Sequence, residues 1–348
     1  MSSDPITSRG RSGRVTLSDV AARAGVSAVT VSRAIRQPEM VSVQLRERID
    51  TAARELMYVP NQLASALASS RTNTIGVVVP SLTNGVFDDY LRALHDVFMD
   101  VGFQVLVLNS RYDADDEERA IRTLLGQHPE AMIVTGIDQT PQSCSLLANS
   151  GIPVVQTMEI GENPIDINIG MDHSATGYAA TSYLLQLGHR NVGLLVARED
   201  ARALRRWSGY QRAMDEAGLS TSALVVSTPR PTTVPLGAEL FRQLLLQQPN
   251  TEAVFCVNDD LALGTLFECH RQGIRVPEDI SIVGFNDLEF CAVCNPPLTT
   301  ISTPRYELAR RAARIVLEII RGSGDRPIEP RIDVGFELVV RGSTGRRL

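Results

Sequence analysis

The apolar residues of this chain follow two different patterns, and the change between them divides the sequence. Up to about residue 59 they recur at steps of three and four, which is typical of short amphipathic helices. From Thr74 onward, short apolar runs alternate with amphipathic stretches, as in buried strands separated by helices. The sequence therefore predicts a small all-helical segment followed by a larger α/β region.

Local capping signals define the first two predicted helices. Thr16 is placed to cap a helix that begins at Leu17, and Asp19 completes an imperfect capping box. Gly25 supplies a turn, after which Ser27 is placed to cap a second helix. Two short helices joined by a turn that contains Gly form a helix-turn-helix, whose second helix can enter a DNA major groove. The residues expected at DNA are Thr16, Ser27, Ala28, Val29, Thr30, Ser32 and Arg33.

A third helix is predicted after Ser42, which is placed to cap it. Its apolar residues recur at helical spacing and are Leu45, Ile49, Ala52 and Leu56. The run from Gln62 to Ser70 is nearly uncharged and can form a helix, but it is too short to be a stable helix alone. From Val15 to Leu67 the sequence resembles the LacI/GalR family of transcription regulators.

That resemblance implies a role for the segment after the third helix. In this family the matching run is a hinge helix that orders on operator DNA, and a Leu matching Leu67 wedges into a minor-groove step. Residues matching Asn61 and Ala64 approach the DNA backbone and bases. Apolar wedges of this kind unstack a base step and bend the duplex, which gains protein contacts. We therefore expect residues 62–70 to order only when the protein is dimerised on DNA.

The larger region contains two successive sets of strand-like runs. The predicted strands are Ile75–Val79, Gln104–Leu108, Met132–Thr135, Val154–Thr157, Val192–Val196, Leu224–Ser227, Ala253–Val257 and Ile280–Phe285. Helices are predicted between them and include Asp88–Val101, Asp115–Leu125, Arg206–Ala217 and Leu236–Leu246. This alternation predicts parallel sheets covered on both faces, in two lobes with a cleft between them. The region resembles the periplasmic-binding-protein-like core of the same family, whose landmarks stand in order at Gly188-His189, Asn258-Asp259, Gly284–Asp287, Pro297–Ile301 and Arg341–Thr344.

These patterns give a domain plan for the whole chain. We expect a disordered tail over residues 1–13, a helix-turn-helix DNA-binding domain over 14–59, a hinge helix and linker over 60–72, and an effector-binding and dimerisation core over 73–348. The first lobe of the core is expected to hold about 73–170 and 303–329, and the second about 171–302 and 330–348. Because no leucine-heptad tail follows Thr344, we expect a homodimer rather than a tetramer held by a zipper.

The distribution of charge agrees with this plan. Residues 1–71 hold ten Arg and six acidic residues, a net charge of +4, whereas the remainder has a net charge of −10. This distribution fits a protein in which the basic N-terminal segment contacts DNA phosphates and the acidic remainder does not. All 34 basic residues are Arg, which excludes a Schiff-base lysine and a P-loop lysine. The sequence also lacks GxSxG, GxGxxG after a strand and HExxH motifs, so we expect no enzyme.

Other classes of protein are disfavoured by further features. The first residues, MSSDPITSRGRSGR, have no apolar core and are not a signal peptide, and no apolar run approaches membrane-spanning length. We therefore expect a cytoplasmic protein rather than an exported sugar-binding receptor, which would share only the core fold. Cys291 and Cys294 have metal-type spacing but no second CxxC or His pair, so we expect buried thiols and no metal or cofactor.

The position of residues in the family pattern indicates an effector site between the lobes. Phe87 would form an apolar wall, and Glu159 lies one residue from a common acidic ligand contact. The expected hydroxyl partners are Asn258, Asp259 and Asn286, although Asp259 could instead cap a helix and Asn286 could brace a turn. Arg202 and Arg206 lie where the family has an anchoring Arg. The spacing leaves open which of them is the anchor, and Arg205 with Arg206 could equally form a solvated pair.

Shorter segments narrow the class of effector. Pro80–Phe87, Phe255–Ala262, Phe267-Glu268 and Gly335–Leu338 look most like gluconate operon repressors. A sugar acid would pair its carboxylate with a planar Arg fork and its hydroxyls with Asn and Asp side chains. The resemblance implies a repressor that binds a pseudo-palindromic operator and a gluconate-like effector. A neutral sugar or another small metabolite is the alternative, and the sequence leaves induction and corepression open.

Overall fold

The computed structural model describes residues 15–59, 71–221, 224–322 and 326–347. The chain divides between Thr72 and Asn73 into two compact units. The expected tail and the expected hinge contacts Asn61, Ala64 and Leu67 lie outside the described residues. None of the described helices has the length and apolar character needed to cross a membrane.

The first unit is a helical domain with a small core. Its helices are α1 (Leu17–Ala24), α2 (Ala28–Arg36) and α3 (Val43–Glu55), with a 3₁₀ turn at Pro38–Met40. The residues buried between them are Val20, Ala21, Ala24, Val31, Ala34, Ile49 and Ala52. These small and β-branched side chains let the short helices approach closely, which gives the domain a core despite its size.

The caps of this domain were largely predictable. Thr16 and Asp19 form a full capping box, since the Asp19 N–H donates to Thr16 Oγ1 (3.3 Å) and the Thr16 N–H donates to Asp19 Oδ2 (2.8 Å). Gly25 ends α1 at φ 66°, a left-handed conformation that favours glycine. Ser27 caps α2 through the Thr30 N–H. The expected cap at Ser42 is wrong: it holds the N-cap position of α3, but its side chain makes no capping bond.

The second unit contains two six-stranded sheets. Its strands are β1 (Thr74–Val79), β2 (Gln104–Asn109), β3 (Ala131–Thr135), β4 (Val154–Thr157), β5 (Ile167–Gly170), β6 (Val192–Ala197), β7 (Val225–Thr228), β8 (Ala253–Cys256), β9 (Ser281–Asn286), β10 (Thr299–Ser302), β11 (Arg331–Asp333) and β12 (Glu337–Val339). Its helices are α4 (Asp88–Met99), α5 (Ala114–Leu125), α6 (Pro141–Ala148), α7 (His173–Gln186), α8 (Ala201–Glu216), α9 (Val234–Gln247), α10 (Asp259–Gln272) and α11 (Arg305–Arg321).

The first lobe is built on the sheet with strand order β11-β5-β4-β3-β1-β2, in which every pair is parallel. Side chains of α4 and α11 pack on one face of this sheet, and side chains of α5 and α6 pack on the other. Covering both faces explains why β1 reads as a continuous apolar run, because all six of its residues are buried.

The second lobe is built on the sheet with strand order β12-β10-β9-β8-β6-β7. Its pairs are parallel except that β12 runs antiparallel to β10. Helix α7 packs closely on α8: a Cβ added at Gly177 would lie 2.0 Å from the Arg206 carbonyl oxygen, and one added at Gly209 would lie 2.0 Å from the Ser174 carbonyl oxygen. Glycine is therefore required at both positions for the two helices to approach.

The chain crosses between the lobes after β5, after β10 and after β11. The last crossing differs from the expected boundary at residue 329, because β11 pairs with β5 and so belongs to the first lobe. An edge strand this short carries no periodicity that identifies its sheet. Helix α8 also begins earlier than Arg206, at Ala201, because Asp200 caps it. The predicted fold class, a helix-turn-helix segment followed by a two-lobed α/β core with parallel sheets, is confirmed.

Candidate functional site

A cleft lies between the two lobes, at the carboxyl ends of their parallel strands. Open α/β sheets bind ligands at this edge, where the loops after the strands converge. The centres of water-sized molecules fit into about 70 Å³ of this cleft, and its empty space, counted with the part open to solvent, is about 630 Å³. It is lined by Asn84, Val86, Phe87, Tyr112, Met158, Met171, His173, Ala197, Arg198, Asp200, Arg202, Arg206, Thr232, Asn258, Phe285, Asn286, Thr303 and Arg305.

The charge of this lining is opposite to that of the core as a whole. Four guanidinium groups face a single carboxylate, that of Asp200. The four are those of Arg198, Arg202, Arg206 and Arg305. An excess of positive charge in a partly enclosed site attracts anions more strongly than the same charges would in water.

Arg206 and Arg305 are the most buried of these cations, each with 7% of its surface exposed. The contacts of Arg206 define the inner part of the cleft. Its Nη1 donates to Nδ1 of His173 at 2.9 Å, and its guanidinium carbon lies 4.3 Å from the centre of the Phe285 ring. Its Nε has no hydrogen-bond partner, and no carboxylate in the described ranges forms an ion pair with it. Burial lowers the pKa of Arg206 to about 10, so the group stays charged at neutral pH.

His173 connects Arg206 to the first lobe. Its Nε2 lies 3.2 Å from the carbonyl oxygen of Met158, which follows β4. Because a guanidinium N–H can only donate, Nδ1 must accept and Nε2 must carry the proton that it donates to Met158. Burial, and then the charge of Arg206, holds the pKa of His173 well below its usual range. The imidazole is therefore neutral.

A second group of side chains forms the rim of the cleft around Tyr112. The guanidinium carbon of Arg198 lies 3.9 Å from the centre of the Tyr112 ring, and that of Arg202 lies 5.9 Å from it. Asp200 accepts from the N–H groups of Arg202 (3.0 Å) and Ala203 (3.1 Å) and so caps α8. Burial raises the pKa of Asp200, but the charges of Arg202 and Arg206 and these N–H groups outweigh burial, and the pKa is lowered overall.

Five of the seven expected effector residues line the cleft. Phe87 is 2% exposed and packs edge-on against Tyr90, which makes it an apolar wall. Asn258 caps α10 by accepting from the Leu261 N–H (3.1 Å), and its Nδ2 donates to Thr232 Oγ1 (3.2 Å). The remaining three are Arg202, Arg206 and Asn286. Arg205 does not form a solvated pair with Arg206, because its guanidinium binds Asp138 and Glu159 instead.

The other two expected residues, Glu159 and Asp259, are not among the lining residues. Glu159 is 1% exposed, and its Oε1 lies 2.7 Å from Nη1 of Arg205. The Arg205 guanidinium also donates to the two carboxylate oxygens of Asp138, through Nη1 and Nη2. Burial raises the pKa of Glu159 to about 7. Asp259 accepts from Thr300 Oγ1 (2.6 Å) and from the Leu288 N–H (2.9 Å). Both carboxyl groups are thus bound by other residues of the protein, although Glu159 Oε2 has no hydrogen-bond partner, and neither lines the cleft as expected.

Several lining residues were missed from sequence, and a backbone feature marks some of them. Four non-glycine residues of the lining have positive φ, a strained conformation that often occurs at ligand sites. They are Tyr112 (59°), Met158 (72°), Arg198 (72°) and Asn286 (121°). Arg305 was also missed: it donates to Thr303 Oγ1 at 2.9 Å and to the Asn286 carbonyl, while its Nε has no partner. The available signal was position, because each of the missed residues Tyr112, Met158, Arg198 and Arg305 follows the end of a strand by one to three residues.

The expected DNA contacts lie around the start of α2 in the helical domain. Val29 is 68% exposed, and Arg33 is exposed one turn further along. Ala28, Thr30 and Ser32 are half-buried, while the side chains of Thr16 and Ser27 occupy the caps of α1 and α2. The CxxC pair is a pair of free thiols, with Cys291 buried and Cys294 half-buried.

Comparisons with known proteins agree with both parts of the molecule. Residues 16–61 match the model of bacterial regulatory proteins of the lacI family, and residues 181–344 match a periplasmic binding protein-like domain. The HTH-type transcriptional regulator GntR of Pseudomonas aeruginosa is 42% identical over 95% of this chain and 96% of its own length.

Solved structures give the same relationship. A LacI family transcriptional regulator from Silicibacter pomeroyi superposes with a TM-score of 0.90 at 31% identity, over 96% of this chain and all of its own. The Lac repressor dimer bound to operator and the anti-inducer ONPF superposes with a TM-score of 0.80 at 26% identity, over 95% of this chain and 99% of its own.

Proposed function

The chain belongs to the LacI family of bacterial transcriptional regulators, and we propose that it is a homodimer whose operator affinity is controlled by a gluconate-like sugar acid. It is a regulator with an N-terminal DNA-binding domain and an effector-binding core, not an enzyme. Because its proposed target is chromosomal DNA, we place it in the cytoplasm.

In the proposed complex, the helix-turn-helix domain and the linker that follows it contact different grooves of the DNA. Residues 14–59 would bind the major groove, with Arg33 reading a guanine and the exposed Val29 contacting a thymine methyl group. Residues 60–72 would form the hinge, with Leu67 at a minor-groove step. The Lac repressor relative is a dimer on its operator, and two recognition helices related by a two-fold axis would require a pseudo-palindromic site here as well.

One observation carries the effector proposal: the buried Arg206 guanidinium faces the cleft without an ion-pair partner among the described carboxylates. A buried charge is costly unless it is paired, so the site favours a ligand that brings an anion. A carboxylate would bind the guanidinium through charge-assisted hydrogen bonds, which are worth about 1.5–3 kcal/mol each. The resemblance of Pro80–Phe87 and Phe255–Ala262 to gluconate operon repressors names the sugar acid.

Coupling to DNA would follow from the position of the cleft between the lobes. An effector that contacts Phe87 of the first lobe and Arg206 of the second has a different affinity for each arrangement of the lobes. It would therefore shift the population of these arrangements, and with it the spacing of the two hinges in the dimer.

The test combines operator selection with effector titration. The preferred site is selected from random DNA, and binding is followed by fluorescence anisotropy with gluconate, 2-ketogluconate, glucose or ribose. We expect a site with dyad symmetry and a change of affinity with the sugar acids alone. Arg33→Ala should lose about 1–3 kcal/mol and relax one base position. Arg48→Ala, an exposed change of equal charge on α3, is the control.

One result would contradict the proposed homodimer, and another would contradict the proposed effector class. A selected site without dyad symmetry would contradict the homodimer. A response to glucose or ribose, with none to either sugar acid, would contradict the effector class and leave the assignment as a transcriptional regulator unaffected.

A further inference from the structure

We propose that His173 is a positioning residue for the effector anchor: it orients the Arg206 guanidinium without neutralising it and ties it to the first lobe. This inference rests on the proposed function, because it concerns how Arg206 comes to bind a sugar acid.

The contacts of His173 account for one end of the Arg206 side chain. Nη1 of Arg206 is fixed by Nδ1 of the imidazole at 2.9 Å, and the face of the guanidinium is fixed by the Phe285 ring at 4.3 Å. The same Phe285 ring packs against His173, with 5.6 Å between ring centres. Nε is buried and has no hydrogen-bond partner, and Nη2 makes no hydrogen bond to a described residue. A guanidinium held on one edge and one face presents its remaining N–H groups to a ligand in a single orientation.

Close helix packing sets the distance between the two residues. His173 is the first residue of α7 and Arg206 lies in α8, and these helices approach through Gly177 and Gly209. The Arg206 carbonyl oxygen occupies the space that a Cβ of Gly177 would need. The imidazole–guanidinium pair is therefore built into the contact between the helices.

The charge of the side chain at position 173 decides whether Arg206 stays available to an anionic effector. An aspartate or glutamate at position 173 would also accept from Arg206, but it would form a buried ion pair and compete with the carboxylate of the effector. A neutral imidazole accepts the same hydrogen bond without adding a negative charge beside the guanidinium. Burial and the nearby guanidinium groups keep the imidazole neutral, since a protonated Nδ1 would set two donors against each other.

The second nitrogen of His173 adds a contact to the other lobe. Nε2 donates to the Met158 carbonyl at 3.2 Å, and Met158 holds a positive φ of 72° after β4. The imidazole thus joins the anchor in the second lobe to the backbone of the first. The orientation of Arg206 depends on the arrangement of the lobes, and binding of an anion is thereby linked to that arrangement.

The test measures gluconate and 2-ketogluconate binding to the full chain by calorimetry, alongside thermal melting. His173→Phe should lower the affinity about tenfold or more, because it leaves a buried N–H unpaired. His173→Gln supplies an uncharged acceptor and a donor and should stay within about threefold of wild type. His173→Glu should lower the affinity about a hundredfold while the melting temperature is kept or raised, because the new carboxylate occupies the anchor.

Two further variants separate this inference from the proposed function. His189→Gln is the control, since His189 is also buried but donates to the Gly345 carbonyl (3.0 Å) and does not line the cleft. It should bind as wild type does. Arg206→Met should abolish sugar-acid binding. Should phenylalanine prevent folding beside Phe285, His173→Met tests the same loss of an acceptor.

The outcomes distinguish the two claims. If Arg206→Met binds the sugar acids normally, or if wild type binds neither, the proposed effector class fails and the inference fails with it. If Arg206→Met loses binding while folded His173→Phe and His173→Glu keep wild-type affinity, the inference alone is overturned. Equal losses in His173→Gln and His173→Glu would also overturn it, because a purely structural role would not distinguish the charge of the replacement.

Discussion

The two lobes share one architecture but contribute different side chains to the cleft between them. Each is a six-stranded, mainly parallel sheet with helices packed against it. The first lobe contributes most of the apolar surface, from Val86, Phe87 and Met158, and one guanidinium group, that of Arg305. The second lobe contributes the other three guanidinium groups, those of Arg198, Arg202 and Arg206. The difference arises in the few residues that follow each strand, and it shows that the scaffold sets where the cleft lies while these residues set what it can bind.

This asymmetry has a consequence for recognition of a sugar acid. The carboxylate would bind the second lobe, and the carbon chain would lie against the first. Bringing the apolar wall over the guanidinium groups excludes water, which strengthens the charge-assisted bonds between them and the ligand. Each lobe therefore contributes a different part of the affinity, and the two parts can be separated by mutation.

The largest effect is expected from removing the charge of the second lobe. Arg206→Met should lower gluconate affinity by about a hundredfold or more, since a charged hydrogen-bonding partner is worth about 2–5 kcal/mol. Stability should be unchanged or higher, because a buried unpaired charge is replaced by an apolar side chain. Calorimetry and thermal melting measure the two quantities. Arg212→Met, an exposed change on the same helix, should alter neither, and a large loss there would contradict the assignment.

A smaller, less selective effect is expected from the apolar wall. Phe87→Leu should lower gluconate affinity by about three- to tenfold and cost about 1–2 kcal/mol of stability, because it removes ring contacts with the ligand and with Tyr90. The matched control is Phe98→Leu, which removes a fully buried ring from the same lobe core but not from the cleft. It should lose similar stability and no affinity, and equal losses of affinity in both would show that Phe87 acts only through stability.

The smallest effect concerns the buried contact between the lobes at Glu159. Burial raises the pKa of Glu159 to about 7, from an ordinary value of 4.5. Between these two pH values the carboxyl group is protonated in the folded protein and ionised in the unfolded chain. Stability should therefore fall as pH rises from about 4.5 to about 7, and Glu159→Gln should flatten this slope. Denaturant unfolding at several pH values measures it. Glu162→Gln, an exposed neighbour, should keep the wild-type slope, and an unchanged slope in Glu159→Gln would refute the assignment.

The helical domain was more predictable from sequence than the cleft. Its signals are local: Thr16 and Asp19, or Ser27 and Thr30, lie three residues apart and contact each other directly. Only the cap at Ser42 was wrong, since residue type shows that a cap is available and not that it is used. Eight of the twelve strands of the core were also recognisable as apolar runs, whereas the short strands β5, β10, β11 and β12 were not predicted.

The cleft was less predictable because its contacts join distant parts of the chain. His173 and Arg206 are 33 residues apart, and Asp259 meets Thr300 across 41 residues. Family position indicated Arg206 and Phe87, but it could not distinguish a carboxylate that faces the cleft from one already bound inside the protein. Glu159 and Asp259 are of the second kind, and no pattern in the sequence reports their partners.

The arrangement of the edge strands bears on the order in which the lobes can be completed during translation. Strands β11 and β12, which complete the two sheets, come from one short stretch, residues 331–339. Since the ribosome emits the chain from its N-terminus, β5 and β10 keep open edges until that stretch has emerged. Open edges are templates for pairing with other chains. A chain truncated before residue 331 would leave an open edge on each sheet and both lobes prone to aggregation. Residues 331–339 therefore protect both sheets only at the end of synthesis.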